Sequence, residues 1–379
     1  MAKVLVTGGA GFIGSHLVDA LVERGHQVSA FDNLDPAAHP QPAKWPAYAN
    51  AKCKYILGDV RDKEALRQAM KDVEVVLHHA AAVGSGISMI DIRRFVEVNS
   101  LGTANVLELA IENQERIKKL IVASSMTVMG EGTYECRVHG VYYPSLRPAD
   151  QLARNEWEVR CPQCDEPSKP LAMKEDRPLL PLTVYGLTKM DEELETILIG
   201  GFYKIPVVAF RYFSVYGPRQ SLTNPYTGVI ARFGTRVITG KAPLIYEDGL
   251  QLKDVIHVRD VVRANLSALE RNEANHQVFN LGNGEGISVY RIGELISEKL
   301  GSGLRPVLTG QYRRGDARHG WADISKARTL LAWQPSLSVD DGFADLCSWL
   351  KALPKEQLEQ AVAAYEDAER ESETRAVAV

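Results

Sequence analysis

Short β-branched runs alternate with amphipathic stretches along the first third of the chain. Lys3–Thr7, Gln27–Phe31, Lys54–Leu57, Glu74–His78 and Lys119–Ser124 read as strands, and Phe12–Arg24 and Met89–Asn113 as helices. The strand runs are apolar almost throughout, as in strands covered on both faces. Such alternation predicts an α/β fold: a doubly wound parallel sheet with helices on each side. The pattern breaks at Gly130, and Glu131–Pro181 has no clear period and many prolines, as expected of an insertion in the sheet domain. Helical spacing resumes over Thr183–Tyr203, followed by a strand at Pro206–Arg211. Shorter elements come next: helices near Thr227–Thr239, Arg259–Glu270 and Val289–Leu300, and a strand at Val278–Leu281. The division expected is a sheet domain over 1–205 and a smaller, discontinuous α/β domain over 206–355, with 206–211 and part of 255–270 returning to the first sheet. Residues 356–379 form a charged, Ala-rich tail, expected to be a surface helix.

A chain of 379 residues exceeds what one compact core usually holds, which agrees with two domains. The net charge of −4 gives no electrostatic reason to expect nucleic acid or an anionic membrane as partner, so an anionic substrate needs a local basic site. No apolar run is long enough to span a bilayer, and Met1-Ala2-Lys3 leads straight into a strand rather than a signal peptide. Five cysteines in a chain this long are too few for a disulfide framework. A cytoplasmic protein with reduced thiols is expected.

The first strand runs into Gly8-Gly9-Ala10-Gly11-Phe12-Ile13-Gly14, which opens the first helix. Gly8 permits a tight turn, Gly11 lets the backbone approach a pyrophosphate, and Gly14 lets the helix pack on the sheet. The helix N-terminus then offers free N–H groups to phosphate. Glycines also build ordinary turns, but the strand–turn–helix placement favours a Rossmann-type dinucleotide site. Asp32-Asn33 ends the second strand, where a carboxylate accepts hydrogen bonds from ribose hydroxyls and repels a 2′-phosphate. NAD is therefore expected rather than NADP. Asp59 and Val60, after the third strand, are candidates to flank the adenine.

Tyr185 and Lys189 stand four residues apart at the start of a helix and so share a face. A phenol titrates near 10 in water, and a neighbouring ammonium lowers that value, which suits Tyr185 to act as a base. Ser124 and Ser125 end the fifth strand, at the sheet edge where such folds bind ligands. Ser125 is placed either to hydrogen-bond a reacting oxygen or to cap a turn.

With the glycine turn, Asp32, Ser124-Ser125, Tyr185/Lys189 and Arg211-Tyr212-Phe213-Ser214-Val215-Tyr216-Gly217-Pro218-Arg219, the chain resembles the extended short-chain dehydrogenase/reductase family. Within it, the resemblance is to the NAD-dependent nucleotide-sugar epimerases and dehydratases, from Lys3 to about Leu350, failing only across the insertion. The resemblance implies a catalytic set of Ser125, Tyr185 and Lys189, with Lys189 also on the nicotinamide ribose. It places His79-Ala80-Ala81-Ala82, Asn99, Ser124 and Tyr212 on the cofactor side. Met126-Thr127 stand where the 4,6-dehydratases carry Asp-Glu, and neither can do that acid–base work, so dehydration is not expected. Ser125, Met126, Ser214, Arg219, Asn224, Val229, Phe233, Lys253, Arg314 and Asp316 occupy substrate positions, with the basic residues facing a diphosphate. The stretch Arg318–Ile324, with the insertion, is most similar to dTDP-L-rhamnose 4-epimerases.

The expectation is 4-epimerisation of a dTDP- or UDP-linked sugar through a transient 4-keto intermediate, for example dTDP-L-rhamnose to dTDP-6-deoxy-L-talose. A UDP-hexose 4-epimerase, or a nucleotide-sugar 4-reductase or dehydrogenase, is the alternative. The family's dimers pair the long helices here at Met89–Asn113 and Thr183–Tyr203, which implies a homodimer. Within the insertion, Cys136-x-x-His139 and Cys161-x-x-Cys164 are two ligand pairs of the spacing that suits a closed, structural Zn²⁺ site; four reduced side chains in a loop are the alternative.

Overall fold

The structure is a computed structural model that describes residues 1–39, 44–222, 224 and 228–376, with side chains described through residue 368. The start of the helix expected at Thr227 lies outside the described residues.

Seven parallel strands form the central sheet: β1 (Lys3–Thr7), β2 (Gln27–Asp32), β3 (Lys54–Leu57), β4 (Val75–His78), β5 (Lys119–Ser125), β6 (Val207–Tyr212) and β7 (Gln277–Leu281). Their order is β7-β6-β5-β4-β1-β2-β3. Successive side chains point to opposite faces, so each strand feeds two cores. Val4, Val6, Val28, Ala30 and Leu77 pack on one side with Leu17, Val18 and Leu21 of helix Phe12–Glu23. Leu5, Phe31, Val76, Leu120 and Val122 pack on the other with Val106, Leu109 and Ala110 of helix Gly102–Glu112. Each such aliphatic side chain contributes about 1.5–3 kcal/mol on burial. The winding reverses between β1 and β4, which opens a crevice at their C-terminal ends.

Two assignments need correction. The strand expected at Val278–Leu281 does not belong to the smaller domain: Gln277–Leu281 pairs with Val208–Tyr212 as an edge of the central sheet. The tail is not merely a surface helix. In Lys355–Ala376, Leu358, Ala361, Val362 and Tyr365 are buried, and Leu358, Ala361 and Tyr365 join the core of the second half with Ile230, Phe233, Ile292 and Phe343. Arg236 and Lys241 pair with Glu366 at its flank. Its high charge masked a short apolar stripe at helical spacing.

The long helix expected over Met89–Asn113 is interrupted. Ser85–Ser88 and Ile92–Phe95 are single turns, Val96–Leu101 is a π-helical turn, and only Gly102–Glu112 is regular. The wide turn rotates Asn99 inward, and π turns of this kind recur at functional sites. The insertion carries its own three-stranded antiparallel sheet: Gly140–Tyr142, Thr133–Cys136 and Lys169–Leu171. No helix among the described residues is long and apolar enough to cross a membrane.

Candidate active site

The crevice at the reversal point is a cavity of about 540 Å³. Its floor is the glycine turn after β1. Gly8 has φ +67, and a Cβ there would sit 2.8 Å from the backbone of His79 and Ala80 after β4, so the two loops touch. A Cβ on Gly14 would lie 2.1 Å from the Gly8 carbonyl oxygen. One on Gly11 would meet only that oxygen, at 3.3 Å, and otherwise faces the cavity. Helix Phe12–Glu23 has no side-chain cap and no acid in its first turn, which leaves its N–H groups free for phosphate. These features fit a dinucleotide.

Asp32 is buried at the end of β2; its carboxylate accepts from the Ala10 N–H (3.0 Å) and the Leu34 N–H (2.9 Å), which fixes its orientation beside the turn. Asn33 donates to Asp59 (2.9 Å), and Arg61 with Asn33 holds the Asp59 carboxyl down at about 2. Every residue assigned above to the cofactor lines the cavity except Asn99. Asn99 instead accepts from the Ala82 N–H (2.7 Å) and donates to the Ala82 carbonyl (3.1 Å) and to Thr188 Oγ1 (3.0 Å). It therefore pins the loop after β4 to the helix that carries Tyr185 and Lys189.

That helix, Val184–Tyr203, begins with Thr183 capping the Gly186 N–H. Tyr185 is half-buried and its N–H donates to Ser88 Oγ (3.0 Å). Burial raises the Tyr185 pKa, while the Lys189 charge and the Ser125 hydroxyl pull it down. Lys189 is buried, with its ammonium donating to the Ala123 carbonyl (2.7 Å) and to Glu192 (2.6 Å). Burial pushes the Glu192 carboxyl up to about 7 against that same lysine. Burial also holds His78 and His79 neutral, at about 3. His79 Nε2 lies 2.9 Å from the Tyr212 hydroxyl, which also accepts from Asn265 (2.9 Å). Ser125 lines the cavity, and its Oγ accepts from the Thr127 N–H (3.2 Å) as the cap of a short turn. Ser124 donates to Glu193 (2.7 Å), which Arg211 grips with two nitrogens (2.9 and 2.7 Å).

The substrate positions divide. Ser125, Ser214, Arg219, Asn224 and Val229 line the cavity. Arg219 pairs with Asp19 (2.7 Å) and stacks on Tyr48 (4.8 Å). Met126, Phe233, Lys253, Arg314 and Asp316 do not line it. Phe233 is 1% exposed and belongs to the apolar core of the second half, on a helix whose residues 230–237 are all buried. Lys253 donates to the Ala317 carbonyl, and Arg314 and Asp316 are exposed on the neighbouring segment. The sequence reading missed Glu192, although it lies three residues after Lys189 and seven after Tyr185, on the same helix face. It also missed Tyr48 and His39 in the cavity wall, which come from a long loop without periodicity.

In the insertion, Cys136 Sγ lies 3.6 Å from His139 Nδ1 and 3.6 Å from Cys164 Sγ, and Cys161 Sγ lies 3.4 Å from His139 Nδ1. All four potential ligand atoms lie within 4.8 Å of one another.

Residues 4–148 and 162–282 match the model of the NAD-dependent epimerase/dehydratase family. The family pattern thus runs through much of the insertion and breaks only between 148 and 162, a narrower gap than the motifs suggested. The chain is 30% identical to the dTDP-L-rhamnose 4-epimerase of Burkholderia thailandensis over 92% of its own length and 94% of the relative's. It is 32% identical to a putative UDP-glucose 4-epimerase of Methanocaldococcus jannaschii, over 92% and 98%. Its fold is similar to the UDP-glucuronic acid 4-epimerase from Bacillus cereus solved with UDP-glucuronic acid and NAD: TM-score 0.76, 28% identity, 93% and 100% coverage. Motif, sheet order and sequence match coincide over most of the chain, and on those grounds it is a member of the NAD-dependent epimerase/dehydratase family.

Proposed function

We propose that the chain is an NAD-dependent 4-epimerase of a nucleotide-diphosphate sugar, dTDP- or UDP-linked. One observation carries this: the Tyr185 phenol, flanked by Lys189 and Ser125, opens into the same cavity as the glycine turn. Bound NAD supplies the hydride acceptor, and then donor, for one sugar carbon. Tyr185 removes the proton of the 4-hydroxyl, helped by the Lys189 charge against the cost of burial. Ser125 donates to the sugar oxygen as it becomes a carbonyl. The 4-keto sugar turns, and Tyr185 returns the proton to the oxygen. No net redox occurs, so the cofactor stays bound.

The Burkholderia relative favours dTDP-L-rhamnose, converted to dTDP-6-deoxy-L-talose; UDP-hexoses are the second choice. A 4-reductase or dehydrogenase would instead release oxidised or reduced cofactor in step with product. Replacing Tyr185 by Phe removes the base and leaves the cavity. Turnover of UDP-glucose and dTDP-L-rhamnose is expected to fall by about 10²–10⁴-fold with NAD content unchanged. Undiminished turnover in Y185F refutes the assignment.

Two further readings belong to this proposal. The exposed apolar stripe Leu187, Leu194, Leu198 and Phe202, beside exposed Ile92, Val96 and Leu101, supports a homodimer built on these two helical segments. The Cys136, His139, Cys161 and Cys164 cluster is proposed to hold a structural Zn²⁺.

A further inference from the structure

The four-ligand cluster lies within the insertion, and none of its members lines the cavity. Its four ligand atoms converge closely enough to share one metal ion. With Zn–S near 2.3 Å and Zn–N near 2.0–2.1 Å, a tetrahedral site has ligand–ligand edges of roughly 3.5–3.8 Å. Three of the six edges here are 3.6, 3.6 and 3.4 Å, and all four ligand atoms lie within 4.8 Å of one another. A disulfide needs sulfurs about 2.05 Å apart, so Cys136 and Cys164 at 3.6 Å are not bonded to each other. The Val138 N–H points at Cys136 Sγ (3.4 Å), as in a turn wrapped around a metal-bound thiolate. All four positions are protein ligands, which leaves no open site for chemistry.

What surrounds this cluster assigns it a task. The insertion's strands have three or four residues each, too little sheet to stand alone. Yet the insertion sends buried charges into the second half of the molecule. Arg147 grips Glu247 with two nitrogens (2.8 and 3.1 Å) and donates to the Asp316 carbonyl (3.0 Å). Glu158 accepts from Arg318 (2.6 Å), which is 0% exposed, and pairs with His319 (3.0 Å). Glu131 accepts from the Arg318 N–H (2.5 Å). The Met173 N–H donates to the Trp321 carbonyl (2.8 Å). On the far side, His319 accepts from the Leu252 N–H (3.0 Å) and Lys253 donates to Ala317. Segments 247–254 and 316–321 are thus held to each other and to the insertion.

We infer that the metal-bound insertion is a strut: Zn²⁺ at Cys136, His139, Cys161 and Cys164 fixes segments 247–254 and 316–321 against each other, while the glycine turn stands apart from this network. This rests on the zinc reading above. Charged residues buried in such a network are ordered only if their backbones are, because breaking one partner leaves an uncompensated charge. The glycine turn and Asp32 share none of these partners.

The test uses the full chain with its bound NAD. Metal analysis after purification without chelator is expected to give about one zinc per chain; less than about half refutes the zinc reading itself. Hydrogen exchange is then compared between metal-loaded and chelator-stripped protein. The amides of Leu252, Asp254 and Gly320 are expected to exchange at least about tenfold faster after stripping, with Ser15 unchanged. Unchanged exchange at all three in protein shown to have lost its zinc overturns the strut while the zinc site stands. If stripped protein unfolds throughout, Arg147→Met provides the second arm, since it cuts the strut and keeps the ligands. It is expected to retain zinc and NAD, and its Leu252, Asp254 and Gly320 amides to exchange at least about fivefold faster than in the parent. Parental exchange at all three amides in this variant overturns the inference.

Discussion

Tyr185 works against its own surroundings. Burial raises its pKa, and three neighbours decide the outcome: Lys189 and Ser125 lower it, while the charge of Glu192 raises it. Glu192 titrates near 7 and therefore gains its charge as the pH rises through neutrality. Glu192→Gln removes that charge at every pH. The acid limb of the turnover profile, which reports formation of the phenolate, is expected to move to lower pH by about half to one unit. A limb that stays in place or moves upward shows that Glu192 does not act through the base. Tyr185 and Lys189 were legible in the sequence because helical spacing puts them on one face and the family resemblance singles out that pair. Glu192 shares the face, but its role depends on full burial, which spacing cannot show.

At the scale of elements, the site is set by how three loops meet at one sheet edge. Gly14→Ala places a Cβ 2.1 Å from the Gly8 oxygen, so the turn must shift. The purified variant is expected to lose its NAD, read as absorbance of cofactor released on denaturation, with its helix content unchanged. Asn99 meets both backbone groups of Ala82 from the π-helical turn. Asn99→Ala leaves them unpaired in a buried place, with an expected loss of about 1–3 kcal/mol in a denaturant titration. Strands β1 to β6 and the helix after the glycine turn were legible, since their apolar patterns are uninterrupted. The π turn was not, because it keeps helical composition while changing the pitch. Nor was the burial of the terminal helix, whose apolar positions Leu358, Ala361, Val362 and Tyr365 are few among charges.

At the scale of the molecule, buried charge joins the insertion to the second half. His319 and Arg318 hold the Glu158 carboxyl down at about 2. A carboxyl depressed in the folded state stabilises it above the unfolded pKa of about 4.5, and that contribution fades as pH falls toward 2. Glu158→Gln is therefore expected to lower Tm at pH 7, and the gap from the parent is expected to narrow below pH 4.5. A gap independent of pH shows that charge is not what Glu158 contributes. Leu198, 69% exposed on the catalytic helix, tests assembly: Leu198→Asp is expected to halve the sedimenting mass of a dimer. The substrate positions Lys253, Arg314 and Asp316 show where the sequence fell short. Motif context put them near a ligand, but their positions depend on how an irregular insertion docks, and no local period encodes that.

The proposed 4-epimerisation takes a hydride from one sugar carbon and returns it to the same carbon within one cavity. It is tested by giving the NAD-loaded chain UDP-glucose and dTDP-L-rhamnose deuterated at C4 and following the label by NMR. The account predicts that at least one becomes its C4 epimer with deuterium still at C4 and no free NADH formed. Loss of the label to water, or accumulation of reduced cofactor in step with product, would contradict it.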